Sequence, residues 1–375
     1  DWYESFAPLG RDPESPARRL LARRGACVRG AGAYLQEAGF RTTERECLQG
    51  AMQVTPRGSQ ALPAGHKADI NGTVLILTIH HMHSYSIYNI AHLAVSAFPV
   101  FDALAALEAE RGGRGADVGA VLFWQVGSGN GFLSTFDWFT KVPRLIGNRG
   151  LGTELLFQED LRDGFCAEQL LLYHRPILYG KVETHFFTSP RHARAFREKA
   201  IKALDFPGTL LAPTPGRTAL LAVRKPPQGY VNVDEVTRKA QDFLRARCWG
   251  LKVWQVGDGN MTLREQVALF ADADLSISVH GAQLSNVVWQ PPGSAVLVVH
   301  KCHMRRQLFE RQAREVGLRV FSSHPADCSG APVGSGQEIL DHAEYRADFE
   351  RDLVPALGAA LASSAQPGCP GAASG

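Results

Sequence analysis

The residues best placed to do chemistry lie just beyond an apolar run, 275–279, where the chain reads His280-Gly281-Ala282 and continues through Ser285 and Asn286. If that run is a buried strand, the polar group stands at its carboxyl end, where open α/β sheets hold their ligands. Gly281 and Ala282 leave room for a ligand to approach the backbone. A short helix over 283–288 would turn its free N–H groups toward a phosphate or sugar oxygen. His280 can donate to an anion or orient a hydroxyl, and Asn286 or Ser285 can add a hydrogen bond. The plainer alternative is a histidine that ends a buried strand and a glycine that makes the turn. A second polar group, Arg224-Lys225, follows the apolar run 218–223. A planar Arg can hold two phosphate oxygens while Lys supplies a point charge; Pro226 and Pro227 fit a surface loop equally well.

Asn89 and His92 form a third group, on the polar edge of a helix that continues through Leu93, Ser96 and Val100 at three- and four-residue steps. They would line a cleft from the start of that helix. His81 and His83 alternate as on one strand face and could join His92 as metal ligands, but no carboxylate is placed to complete the set. No metal is expected. Gly127, Gly129 and Gly131 have GxGxG spacing rather than the GxGxxG of a dinucleotide site, and no organic cofactor is expected. Asp272-Ala273-Asp274 precedes its strand, on the wrong end for ligand work, and the chain has no G-x-S-x-G elbow for a hydrolase.

The elements that must position these groups alternate between strand and helix patterns. Apolar β-branched runs at 73–79, 118–126, 218–223, 252–256, 275–279 and 318–321 read as strands. Between them, 185–203, 233–247, 262–271, 303–316 and 344–361 read as helices. Thr262 with Glu265 three residues on is a capping box for the third of these. Arg191, Arg194 and Arg197 form a basic stripe that reads as a solvated face. The stretch Trp124-Gln125-Val126-Gly127-Ser128-Gly129-Asn130 nearly repeats as Trp254-Gln255-Val256-Gly257-Asp258-Gly259-Asn260, consistent with two Rossmann-like halves. The prolines and glycines of 207–216 mark a linker between them. The expected organisation is a stem or lead-in over 1–66, a first domain over 67–206, a second over 217–362 and a disordered small-residue tail over 363–375.

A chain of 375 residues with 45% hydrophobic and 21% charged content has material for two ordinary domains. Its 40 basic and 37 acidic residues are spread along the sequence, so the net charge of +3 does not point to nucleic acid as a partner. No stretch approaches the roughly 20 apolar residues of a membrane span; a leader or N-terminal anchor absent from this chain is expected. The seven cysteines include no CxxC pair, which argues against a zinc site. One or two disulfides fit an oxidising compartment, with Cys302–Cys328 a candidate pair, but spacing alone does not fix the pairing. Asn71-Gly72-Thr73 and Asn260-Met261-Thr262 are glycosylation sequons.

The stretch EQVALFADADLSISVHGAQLSNVVWQPPGSAVLVV resembles the signature region of glycosyltransferase family 61, through Glu265, Gln266, Phe270, Ala273, Asp274, His280, Gly281, Ala282, Leu284, Asn286, Pro292 and Gly293. It departs at Gln283, where the family usually has Gly, and at Ser285, where Thr is commoner. Asn89-x-x-His92 followed by Pro99 is similar to a segment near the start of the family's catalytic domain. Where many members carry Asp four positions past that His, this chain has Ser96, leaving His92, Asp102 and Asp137 as substitutes for a general base. The resemblance implies an α/β protein of GT-B type, two Rossmann-like domains facing a cleft. It implies an inverting transferase moving xylose, N-acetylglucosamine or arabinose from a UDP-sugar to a glycan or glycoprotein hydroxyl, in the Golgi or endoplasmic reticulum lumen as a type II membrane protein. Arg224, Lys225, His280, Gly281, Ala282 and Asn286 would serve the donor diphosphate, Glu265 the ribose, and Asn89 with His92 the acceptor. Ser96 and Gln283 favour the rival, an inactive nucleotide-sugar or glycan-binding pseudoenzyme.

Overall fold

An apolar run such as 74–77 can be buried on both faces only if other strands flank it and helices cover it, and that is its setting in the computed structural model of the chain. The structure describes residues 7–12, 14–30, 52–56, 70–79, 90–125, 137–157, 165–173, 177–178, 181–182, 186–206, 217–224, 229, 231–257, 261–302, 307–325, 328 and 346–363. The chain divides into two compact units, Asp1–Thr188 and Ser189–Gly375.

The first unit is built on a seven-stranded mixed sheet. Its strands are β1 (Ala7–Pro8), β2 (Leu20–Gly30), β3 (Met52–Pro56), β4 (Ile70–Ile79), β5 (Val118–Gln125), β6 (Glu154–Phe157) and β7 (Phe165–Tyr173). They run in the order β1-β2-β7-β4-β5-β6, with β3 also paired to β2. β4 lies parallel to both β5 and β7, while β2 crosses antiparallel to β7. A small ladder joins β8 (Ile177–Leu178) to β9 (Lys181–Val182). Helix α1 (Ile90–Glu110) buries Leu93, Ala97, Phe98, Phe101, Leu104 and Leu107, and Phe98 stacks on Phe187 at 5.2 Å between ring centroids. Helix α2 (Asp137–Ile146) is strongly amphipathic, with Trp138, Phe139, Val142, Leu145 and Ile146 inward.

The expected stem over 1–66 is corrected by β2, eleven residues long and bonded to β7 over most of its length. Cys27 and Cys166 stand directly opposite each other in that pairing and form a disulfide. The sequon at Asn71 falls inside β4, where Thr73 is buried and its hydroxyl donates to Gln169 Oε1 at 3.2 Å.

The second unit carries helix α3 (Pro190–Ala203) and then β10 (Thr218–Arg224), α4 (Val233–Arg245), β11 (Gly250–Val256), α5 (Leu263–Ala271), β12 (Leu275–Val279), β13 (Ala295–Val299), α6 (Leu308–Glu315), β14 (Arg319–Ser323) and α7 (Val354–Ala362). All five strands are parallel, in the order β11-β10-β12-β13-β14. Counted within the unit this is 2-1-3-4-5, the flavodoxin-like doubly wound order. Leu221, Val223, Ile277, Val279, Leu297 and Val299 form the core with Val236, Leu244, Leu353 and Leu357 from the helices. Cys302 and Cys328 are joined, as the sequence suggested. Two Rossmann-type α/β units of the GT-B kind are therefore present.

The unit boundary differs from the expected linker at 207–216, which lies outside the described residues along with the tail from 364. Helix α3 belongs to the second unit. Its Phe196 stacks on Trp289 at 5.6 Å between centroids, and Arg197 Nε donates to the Trp289 carbonyl at 2.8 Å. The stripe is thus only partly solvated. Arg194 is exposed and pairs with Glu198, whereas Arg197 is 2% exposed and burial pushes its pKa down to about 10.

Candidate functional site

In a doubly wound sheet the strand order reverses at one point, and the crevice outside the carboxyl ends there is where ligands bind. Here the reversal falls between β10 and β12, which pair directly through Ala222 and Ser278. Arg224 ends β10, and His280-Gly281 follow β12. Two polar groups picked from distant parts of the sequence thus meet on adjacent strands.

Their contact is close. A Cβ on Gly281 would lie 2.7 Å from Arg224 Nη1 and 2.6 Å from Gln283 Oε1. The space expected to admit a ligand at Gly281 is therefore taken by a guanidinium that packs where a side chain would begin. A second glycine acts similarly: a Cβ on Gly229 would fall 1.6 Å from the Arg224 carbonyl oxygen, so the chain leaving β10 doubles back over its own end. Gln283 is folded inward, its Nε2 donating to Ser278 Oγ at 2.8 Å and to the Val279 carbonyl at 2.7 Å. The family's glycine is thus replaced by a side chain that caps the strand.

Residues Ala282–Trp289 form a 3₁₀ helix, the short helix expected after the strand. Ala282, half-buried, opens it. Asn286 does not reach outward: it is fully buried, its Nδ2 donates to the Gln283 carbonyl at 3.1 Å and its Oδ1 accepts from Trp289 Nε1 at 3.1 Å. The 3₁₀ geometry brings residues three apart onto one face, so Asn286 bonds within the helix.

Glu265 lies in the first turn of α5, the helix that follows β11. The capping box is complete: Thr262 Oγ1 accepts from Glu265 N at 3.2 Å, and Thr262 N donates to Glu265 Oε2 at 2.8 Å. The D-x-D spelling is structural. Asp272 pairs with Lys252, and Asp274 accepts the Thr218 N–H at 3.0 Å, at the amino ends of the strands.

In the first unit, His92 lies in the first turn of α1, and its side chain is outside the described residues, as are Asn89, the histidines at 80–83 and the glycines at 127–131. Lys225 is also outside them. Asp102, on α1, is 2% exposed. Its carboxylate accepts from Thr188 N at 3.0 Å and from Thr188 Oγ1 at 3.0 and 2.9 Å. A buried carboxylate bonded on both oxygens is held in place by Thr188. Asp137 pairs with Lys141 at 2.7 Å across one turn of α2.

The sequence reading missed a row of histidines. His280, His300 and His324 are the first residues beyond β12, β13 and β14, and these strands are in register up to Val279↔Val299 and Val299↔Ser323. His280 N donates to the Val299 carbonyl at 2.8 Å and His300 N to the Ser323 carbonyl at 2.9 Å. The signal was present, a histidine at or shortly past the end of each apolar run, but it needed the strand order to be seen as a row.

The fold and this switch point define a Rossmann-type α/β protein with a cation packed on a glycine at the strand ends. Residues 136–297 match the family model described as Glycosyltransferase 61, a stretch that runs from the residue before α2 to the middle of β13 and includes Arg224, Glu265 and His280 to Asn286. Through this region the chain is similar to glycosyltransferase family 61. No curated protein sequence matches the chain.

Proposed function

We propose that the chain is an inverting glycosyltransferase that uses a UDP-sugar, carrying xylose, N-acetylglucosamine or arabinose, and a glycan or glycoprotein hydroxyl as acceptor. The observation that carries this reading is the Arg224 guanidinium against Gly281 at the switch point. A fixed cation there can take the charge that develops on the diphosphate as the bond to the anomeric carbon breaks. The acceptor oxygen attacks that carbon from the opposite face, its proton passes to a base, and the diphosphate leaves as UDP. Lys225 would add charge beside Arg224, His280 a hydrogen bond, and Glu265 would orient the ribose. Asn89 and His92 would serve the acceptor, with His92 the candidate base, since Asp102 is bound to Thr188. Secretory-pathway residence as a type II membrane protein fits the cross-links Cys27–Cys166 and Cys302–Cys328, which persist in oxidising compartments. Among the described residues no helix is long and apolar enough to cross a membrane.

One observation favours the rival, a nucleotide-sugar-binding pseudoenzyme: Ser96 stands buried on α1 where the resemblance leads one to expect Asp. Both readings require UDP binding, and turnover separates enzyme from pseudoenzyme. Saturation binding of UDP should be measured for wild type and Arg224→Ala, with hydrolysis of UDP-xylose and UDP-N-acetylglucosamine followed in parallel. Wild-type binding that Arg224→Ala weakens roughly 10- to 100-fold, about 1.4–2.8 kcal/mol, supports the donor site. Folded wild type that ignores UDP sinks the UDP reading, and binding without turnover of any UDP-sugar in the presence of glycan acceptors favours the pseudoenzyme.

A further inference from the structure

We infer that His280, His300 and Glu310 form a binding site for a divalent transition-metal ion of the zinc class. The three side chains come from separate elements: the ends of β12 and β13, and helix α6. They are 5%, 1% and 2% exposed, and one ligand atom from each lies within 4.8 Å of the others. The edges of a tetrahedral zinc site with bonds of ~2.0–2.2 Å are about 3.4 Å long, so modest side-chain rotation closes the set.

The cluster is built to hold more than its internal bonds. Glu310 Oε1 is hydrogen-bonded to His300 Nε2 and, at 3.4 Å, to Ser322 Oγ. Glu310 Oε2 and His300 Nδ1 are buried with no hydrogen-bond partner, although polar atoms taken from water need one. A cation held by Glu310 and one ring nitrogen of each histidine would give the Glu310 carboxylate the partner its Oε2 lacks.

Ligand type narrows the ion. Two imidazoles and one carboxylate suit zinc and its first-row neighbours, whereas magnesium and calcium prefer oxygen alone. Three protein ligands leave a fourth position open. The rings are also held in place. Phe309 meets His280 edge-on at 4.8 Å, and His324 stacks on His300 at 4.4 Å with the planes 6° apart. Such support orients ligands in metal sites.

The site shares His280 with the proposed donor chemistry, so its test uses no nucleotide and the two readings fail separately. Full-length untagged protein is stripped with a chelator and dialysed, then titrated with zinc alone, with native mass spectrometry and thermal melting as readouts. The expected result is one zinc per chain and a higher melting temperature on loading, with His300→Asn and Glu310→Gln each weakening uptake roughly tenfold or more. Stripped wild type that neither takes up an equivalent of zinc nor melts higher on reloading overturns the assignment, and it does so even if the variants fail to fold. Folded variants that bind zinc as wild type does also overturn it, and leave His300 and Glu310 as a hydrogen-bonded structural couple.

Discussion

At Gly281 even a methyl group would enter the space of the Arg224 guanidinium and the Gln283 amide oxygen. Both are far ends of flexible side chains, so Gly281→Ala can be accommodated by moving them, at about 1 kcal/mol or less in stability. The expected signature is a melting temperature close to wild type together with UDP affinity lowered roughly tenfold, because the cation no longer lies where the diphosphate needs it. Asp102 gives the opposite pattern. Asp102→Ala leaves the Thr188 N–H without its buried acceptor and should lower stability by ~1–3 kcal/mol, read as an earlier urea or thermal transition. Asp102→Asn still accepts from Thr188 and should keep turnover; loss of turnover with an unchanged fold would restore Asp102 as the base. Asp274 is a charge the fold disfavours: burial raises its pKa above the ordinary 3.8, against the lowering effect of the Thr218 N–H, while Asp272 adds to the rise. With the folded pKa above the unfolded one, the folded state binds more protons in that window, so stability falls as pH rises through it and the cost is fully present at neutral pH. Asp274→Asn keeps an acceptor without the charge. It should therefore match or exceed wild type at pH 7 and show a smaller loss of stability between acid and neutral pH.

Among the elements, those of the second unit were the most legible. Strands 218–224, 250–256 and 275–279 follow apolar runs, and helix α5 starts where Thr262 and Glu265 place it. The echo of Trp124-Gln125-Val126 in Trp254-Gln255-Val256 also has a structural counterpart. β5 and β11 are each the next strand after the first parallel strand of their unit, and each lies in parallel register beside it. Strand β2 was not legible, because Arg23, Arg24, Gly25 and Arg29 break its alternation and its pairing with β7 depends on contacts some 140 residues away. The site showed the same division. Arg224, His280 and Gly281 were legible because they stand at strand ends, whereas Asn286 reads as a donor until the 3₁₀ helix turns it inward. Arg197 reads as a surface residue because nothing local marks a guanidinium whose partner is the carbonyl of Trp289, 92 positions on. Arg197→Ala should remove both that bond and the packing of α3, destabilising the second unit by ~2–3 kcal/mol. Thermal melting checks this, and a change under 0.5 kcal/mol would mean the bond contributes little.

On the scale of the molecule, two cross-links close loops of very different length, with 139 residues separating Cys27 from Cys166 and 26 separating Cys302 from Cys328, while Cys248 is disulfide-bonded as well. Chain-entropy reasoning gives ~5 kcal/mol for the longer closure and ~3.5 kcal/mol for the shorter. Cys27→Ser/Cys166→Ser should accordingly lower the melting temperature more than Cys302→Ser/Cys328→Ser does. Calorimetry of the two double variants beside wild type measures the difference; equal shifts would argue against the loop-length account.

The longer cross-link also decides what a protease leaves behind. It joins β2 to β7 and encloses β3 to β6 with α1 and α2 between its ends. A single cut anywhere between Cys27 and Cys166 therefore releases no fragment: the nicked chain runs as one band on a gel without reductant and as two with it. Intact mass under native conditions is then no proof of an intact backbone.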